Sequence, residues 1–352
     1  MLPAVIHSFE HSLRLKNRLV GVGWHKDVHR HFGPGGVDEA EALCHAAGTD
    51  LLDFIRPSRT APRQRIHLRS LGRRRGMDDC REITFDSPLP SGRGANDRVV
   101  ARLIPAKRPR ADNKVIVFHH ALLQRYWGLW EWFLAPYTER YAVVMMAAPF
   151  HFERTPAGWY PGEGTINPNP WRLYEALRQW CWDQSVLMRS LEETLGLTPA
   201  AVVGFSLGAF QSLLAASAGE LGDLPLVSVA ATNRYAYGLR HGILGRGTLE
   251  GLIRAGIDGD RLDRMVEAIE LERYVHRLRG RDVLFIAGRH DRVDPPPSVE
   301  RLESALQPAR SIWLESGHGT VLLERGRIAR EVFRFLEDCA VPEGTTRAIT
   351  PA

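Results

Sequence analysis

The sequence predicts an α/β protein, a mostly parallel central sheet flanked by helices, and three stretches carry that prediction. The first is Ala200-Ala201-Val202-Val203-Gly204-Phe205-Ser206-Leu207-Gly208-Ala209-Phe210, an apolar run that enters Gly-x-Ser-x-Gly and continues into the helix-forming Gln211-Ser212-Leu213-Leu214-Ala215-Ala216. The second is Asp282-Val283-Leu284-Phe285-Ile286-Ala287-Gly288, a buried-strand run with Asp291 three residues past the glycine. The third is Ser311-Ile312-Trp313-Leu314-Glu315, a strand followed by His318 between Gly317 and Gly319 and then by a helix. Short apolar strands that each run into a turn and a helical segment are the pattern of parallel βα units.

A serine at a strand-to-helix junction sits on a tight turn, and the glycines on either side let the backbone pass where a Cβ would collide. The helix start supplies unsatisfied N–H groups and positive dipole character, so negative charge on oxygen is stabilised there. With 32 glycines in the chain the motif can also arise by chance, as a serine in an ordinary turn. The order Ser206, Asp291, His318, each after a strand, separates the two cases. Together the three stretches resemble the α/β-hydrolase superfamily over about residues 81–340.

That resemblance implies the α/β-hydrolase fold and a serine hydrolase that cleaves a carboxylic ester or thioester through an acyl-enzyme on Ser206. His318 would be the general base and Asp291 the group that holds its tautomer. Asp294 is the nearest competitor for the acid, and His290 is a second titratable group in that loop. The backbone N–H of Leu207 would form one half of the oxyanion hole. The other half would come from Ala121, with Leu122 second. The superfamily often carries His-Gly at this place, whereas here His119 is followed by His120. A side chain therefore occupies a position where the loop normally turns tightly. An acyltransferase using the same acyl-enzyme, and a hydrolase-fold protein that binds without turnover, are the alternative readings. Gly23-Trp24, the polar loop after the third strand and the run Pro149-Phe150-His151 to Arg154-Thr155-Pro156 are similar to the abhydrolase domain-containing 18-like group, which implies no particular substrate.

The 352 residues suit one large α/β domain with additions. The sequence divides into a helical extension and basic linker (1–75), the α/β body (76–340) and a tail (341–352). Within the body, residues 232–280 are too long for one crossover and read as a helical cap insertion. In the extension, residues 1–55 show helical spacing in two pieces broken at Gly33-Pro34-Gly35-Gly36. His25, His29 and His31 have no acidic or thiol partner interleaved and read as exposed rather than metal-binding. From Phe54 to Met77 there are eight arginines (Arg56, Arg59, Arg63, Arg65, Arg69, Arg73, Arg74, Arg75) and no acid, against a net charge of +5 for the whole chain. A solvated basic linker is the simpler reading, and peripheral contact with an anionic membrane is the sharper one.

Arg81 to Phe85 and Val99 to Ile104 read as antiparallel first strands, Lys114 to Phe118 and Tyr141 to Met146 as buried ones, and Trp127 to Tyr137 as a helix. The long loops after these strands are where a parallel sheet binds ligands. His119, His120, Trp127, Phe150 and Trp159 are the candidate substrate-binding residues, with packing as the alternative for both histidines. The partner is expected to be a small acyl substrate, with no nucleic acid. No metal, nucleotide or flavin motif is present, so no cofactor is expected. Cys44, Cys80, Cys181 and Cys339 are scattered, and no apolar run is long enough for a signal core or a membrane span, so a cytoplasmic protein is expected.

Overall fold

Apolar residues dominate the inner strands, as they do in strands buried on both faces. In the computed structural model, which describes residues 28–58, 63–74, 77–108 and 112–340, these strands form the centre of a nine-stranded sheet. The strands are β1 (His67–Arg74), β2 (Met77–Asp86), β3 (Arg98–Ile104), β4 (Lys114–His119), β5 (Ala142–Met146), β6 (Thr198–Phe205), β7 (Leu226–Val229), β8 (Val283–Gly288) and β9 (Arg310–Leu314). Their spatial order is β1-β2-β3-β5-β4-β6-β7-β8-β9. The pairs β1–β2, β2–β3 and β3–β5 are antiparallel, and every pair from β5–β4 to β8–β9 is parallel.

Period-two alternation divides the side chains between two apolar layers. Val115 and Val117 of β4, Val144 of β5, Val202 of β6 and Phe285 of β8 join one layer. Ile116, Phe118, Val143, Val203 and Leu284 join the other. Each such fully buried side chain contributes about 1.5–3 kcal/mol relative to exposure. The first layer is covered by α1 (Gly36–Thr49), α2 (Leu51–Ile55), the long helix Trp171–Glu193 and the helix Leu207–Ser217. The second is covered by the helices Gly128–Leu134 and Arg325–Cys339.

Three expectations about the architecture change. The basic run is not wholly a linker, because residues 67–74 form the edge strand β1, paired antiparallel with β2, and the sheet begins there rather than after residue 75. Three of its arginines are matched to acids: Arg56 to Glu220, Arg63 to Glu193 and Arg69 to Glu82. The insertion after β7, expected as a cap, packs on the sheet. Leu262, Met265, Val266, Ile269, Leu271, Val275 and Leu278 are buried in the first layer, so this segment extends the helical cover of the sheet. The helix expected from Trp127 to Tyr137 ends at Leu134, and Tyr137 lies in a separate 3-10 turn after Pro136, whose missing N–H cannot continue the helix. His25, Arg59, Arg75, the first helical piece of the extension and the tail from residue 341 lie outside the described residues.

Candidate active site

Ser206 lies between β6 and the helix Leu207–Ser217 with φ 54° and ψ −114°, a left-handed conformation that non-glycine residues rarely adopt. Close packing holds it there. A Cβ on Gly204 would lie 2.5 Å from Gly208 O, and one on Gly208 would lie 2.2 Å from His119 O, so both flanking positions require glycine. The helix is also tied to the end of β4. The Ser212 hydroxyl donates to Gly208 O at 2.6 Å, which leaves its lone pairs for His119 Nδ1–H at 2.7 Å. Burial lowers the His119 pKa to about 4 and keeps the ring neutral.

The acid and histidine loops are joined to each other by backbone. Arg289 N–H donates to Leu314 O at 2.9 Å and His290 N–H to Ser316 O at 3.0 Å. A Cβ on Gly288 would meet Ser316 O at 2.4 Å, which fixes how closely the two strand ends approach. His318 Nδ1 is 2.7 Å from Asp291 Oδ2, and His318 Nε2 is 2.8 Å from Ser206 Oγ. Ionised Asp291 can only accept, so Nδ1 carries the imidazole proton and Nε2 presents its lone pair to the serine hydroxyl. The other Asp291 oxygen accepts from the N–H groups of Val293 and Asp294 at 2.8 and 3.0 Å, which orients the carboxylate. All three residues are buried, at 5% exposure for Ser206, 3% for Asp291 and 7% for His318.

Asp294 makes no hydrogen bond to His318. Its Oδ2 accepts from Asn233 N–H at 2.7 Å, and burial, with the nearby Asp291 charge adding to it, pushes its pKa up to about 7. The insertion therefore grips the acid loop at its start, and Ile243 N–H donates to Arg292 O at 2.8 Å in the same loop. His290 is exposed and pairs with Glu315.

The other candidates occupy two neighbouring loops, after β4 and after β5. His120 is 1% exposed. Trp127 stacks on Phe152 with ring centroids 4.2 Å apart, and its indole N–H donates to Glu153. Phe150 stacks on the partly exposed Trp159. The structure thus brings Ser206, Asp291 and His318 together, while His119, His120 and Trp127 are packed into protein. Ala121 and Leu122 follow β4, and no described group accepts a hydrogen bond from the N–H of either.

Sequence reasoning missed several residues that shape this end of the sheet. His151 is fully buried, and its Nε2 accepts from Leu123 N–H at 3.2 Å. Arg154 and Asp183 form a pair with no exposed surface. His31, expected to be exposed, is fully buried beside the equally buried Glu163, with their nearest ring nitrogen and carboxylate oxygen 3.5 Å apart. Its carbonyl accepts from Asn169 Nδ2 at 2.9 Å, so the N-terminal segment braces the loop before the long helix. The only local signal for any of these was the Pro-Phe-His run, which does not say what it meets.

No protein-family model matches the sequence and no curated protein matches it, so the narrower likeness to the abhydrolase domain-containing 18-like group rests on its motif residues alone. Solved structures do match. Acetyl xylan esterase 1 from Thermoanaerobacterium sp. JW/SL YS485 is 17% identical, with a TM-score of 0.56 over 89% of this chain and 98% of that one. The acetyl xylan esterase from Paenibacillus sp. R4 is 12% identical, with a TM-score of 0.57 over 89% and 98%. Pyrococcus horikoshii acylaminoacyl peptidase is 12% identical, with a TM-score of 0.57 over 76% of this chain and 43% of that longer one. At these identities the likeness is one of fold.

Proposed function

From the α/β-hydrolase fold of this chain, we propose that it is a serine hydrolase that cleaves a carboxylic ester or thioester through an acyl-enzyme on Ser206. The observation that carries this reading is the unbroken succession Ser206 Oγ, His318, Asp291, at 2.8 and 2.7 Å, on a strained turn at a helix start. Ser206 attacks the acyl carbonyl while His318 Nε2 takes its proton. Asp291 keeps the imidazole in that tautomer and stabilises the imidazolium. The Leu207 N–H, first in its helix and without an intrahelical acceptor, stabilises the oxyanion together with an N–H of the loop after β4. His318 then returns the proton to the leaving group and activates water for deacylation.

Turnover of short p-nitrophenyl esters tests this. Ser206→Ala and His318→Ala are each expected to abolish hydrolysis with the fold retained, and the double variant to be little worse than either, because the residues act as a unit. Wild-type turnover by either single variant contradicts the proposal.

A further inference from the structure

The loop that would supply the second oxyanion donor is held by two histidines. His120 Nε2 accepts from Ala148 N–H at 2.9 Å, so its proton is on Nδ1, which is 2.7 Å from Ala121 O and donates to it. His151 Nε2 accepts from Leu123 N–H at 3.2 Å, so its proton is likewise on Nδ1, which donates to Pro149 O at 2.8 Å. Each ring therefore bridges the loop after β4 and the loop after β5, one in each direction. The rings pack edge to face with centroids 5.1 Å apart, and both are about fully buried, at 1% and 0% exposure. Leu123, Phe150 and Phe152, within or beside the bridges, all have positive φ (63°, 65° and 50°). Backbone held in this region needs surroundings that fix it.

The peptide planes give these bonds a direction. A trans peptide points its C=O and the following N–H to opposite sides. Drawing Ala121 O onto the His120 ring therefore turns Leu122 N–H away from that ring. Leu122 O is occupied in turn by Gln124 Nε2 at 2.7 Å, and Leu123 N–H by His151. Leu122 N–H is left as a donor that no described group accepts.

We propose that His120 and His151 are a pair of positioning residues that lock the peptide planes of residues 121–123, so that an N–H of this loop, from Ala121 or Leu122, is held in place to pair with Leu207 N–H at the oxyanion. This rests on the serine-hydrolase reading above. It also gives a reason for the histidine that stands in place of the glycine: the ring does by hydrogen bonding what a tighter turn would do by shape. The bridges work only with neutral rings, since a proton on either Nε2 would face the N–H of Ala148 or Leu123. Burial is the main reason both rings stay neutral; His151, His119 and Arg154 add to it at His120, and Arg154 adds to it at His151.

Side-chain isosteres separate positioning from mere packing. The amide of asparagine lies near Nδ1 and can still donate to Ala121 O, whereas the oxygen of glutamine lies near Nε2 and can only replace the bond from Ala148. His120→Asn is expected to keep kcat on a p-nitrophenyl ester within about 10-fold of the parent. His120→Gln is expected to lose about 10²–10³-fold in kcat with KM within about 3-fold, the size of losing one oxyanion donor. His151→Gln, which still accepts from Leu123 N–H, should exceed His151→Leu in kcat. Losses that follow melting temperature instead of this ranking overturn the proposal. A second readout does not need activity. Imidazole nitrogen NMR should report both rings as neutral Nδ1–H tautomers from pH 8 down to pH 5, and a charged or Nε2–H ring in that range overturns the bridges. A parent that hydrolyses no ester, with both rings in the expected tautomer, defeats the serine-hydrolase reading and the oxyanion role with it, while leaving the two bridges intact.

Discussion

Replacing Arg154 removes the charge that anchors the loop after β5. Its guanidinium has no exposed surface and donates to three acceptors: Asn96 O at 2.9 Å, Ala147 O at 3.0 Å and Asp183 Oδ2 at 2.7 Å. Asp183 is equally buried and also accepts from the Ser87 hydroxyl at 2.6 Å. Burial raises the Asp183 pKa, with Arg154 and Ser87 pulling against it. Arg154→Leu leaves a buried carboxyl group without its counter-charge, and breaking one side of a buried pair costs about 3–5 kcal/mol. The pH dependence has a definite sign. Without Arg154 the folded-state pKa of Asp183 rises further above its unfolded value. Parent and variant both hold a proton that the unfolded chain releases above about pH 3.9, and the variant holds it to higher pH, so the deficit grows with pH between the folded-state pKa of the parent and that of the variant, by up to about 1.4 kcal/mol per unit. Urea denaturation of parent and Arg154→Leu at pH 5 and pH 8 measures it. The expected deficit is about 3–5 kcal/mol at pH 8 and smaller at pH 5, and Arg154→Leu combined with Asp183→Leu should recover part of it because neither charge remains. A deficit below about 1 kcal/mol, the range of surface pairs, or one equal at the two pH values refutes this reasoning.

Other outcomes follow from the same geometry. Asp291→Asn is expected to lower kcat by about 10⁴-fold through loss of the tautomer lock, and Asp294→Asn far less; the reverse ranking in ester turnover moves the acid to position 294. Asp294, its pKa raised to about 7, contributes stability that is present at low pH and lost as pH rises toward 7. The melting temperature of Asp294→Asn relative to the parent should therefore climb between pH 4 and pH 7, and a constant difference rules the raised pKa out. Gly208→Ala would put a Cβ 2.2 Å from His119 O, a backbone atom that cannot swing aside, so turnover should fall even in preparations that melt like the parent.

The elbow was legible because its demands are local: at residues 204 and 208 only glycine fits, and that shows in the sequence. Asp291 could be ranked above Asp294 by its distance from Gly288 alone, and the structure gives the physical counterpart, a 2.7 Å bond from the first to His318 and none from the second. β1 was not legible. It is an edge strand rich in arginine, with register shifts around Gly72, so apolar alternation never develops. The insertion read as a cap because helical spacing does not say which surface a helix covers. The bridges at His120 and His151 escaped notice for a related reason: their partners lie about thirty residues away and meet only because β4 and β5 are neighbours in the sheet.

The central claim is that Ser206 is a nucleophile activated by His318. Covalent labelling with a fluorophosphonate probe, located by peptide mass mapping, tests it most directly. One adduct is expected, on Ser206, formed rapidly by the parent, slowed by orders of magnitude in His318→Ala and absent in Ser206→Ala. An unlabelled parent, an adduct on another residue, or equal labelling of parent and His318→Ala contradicts it.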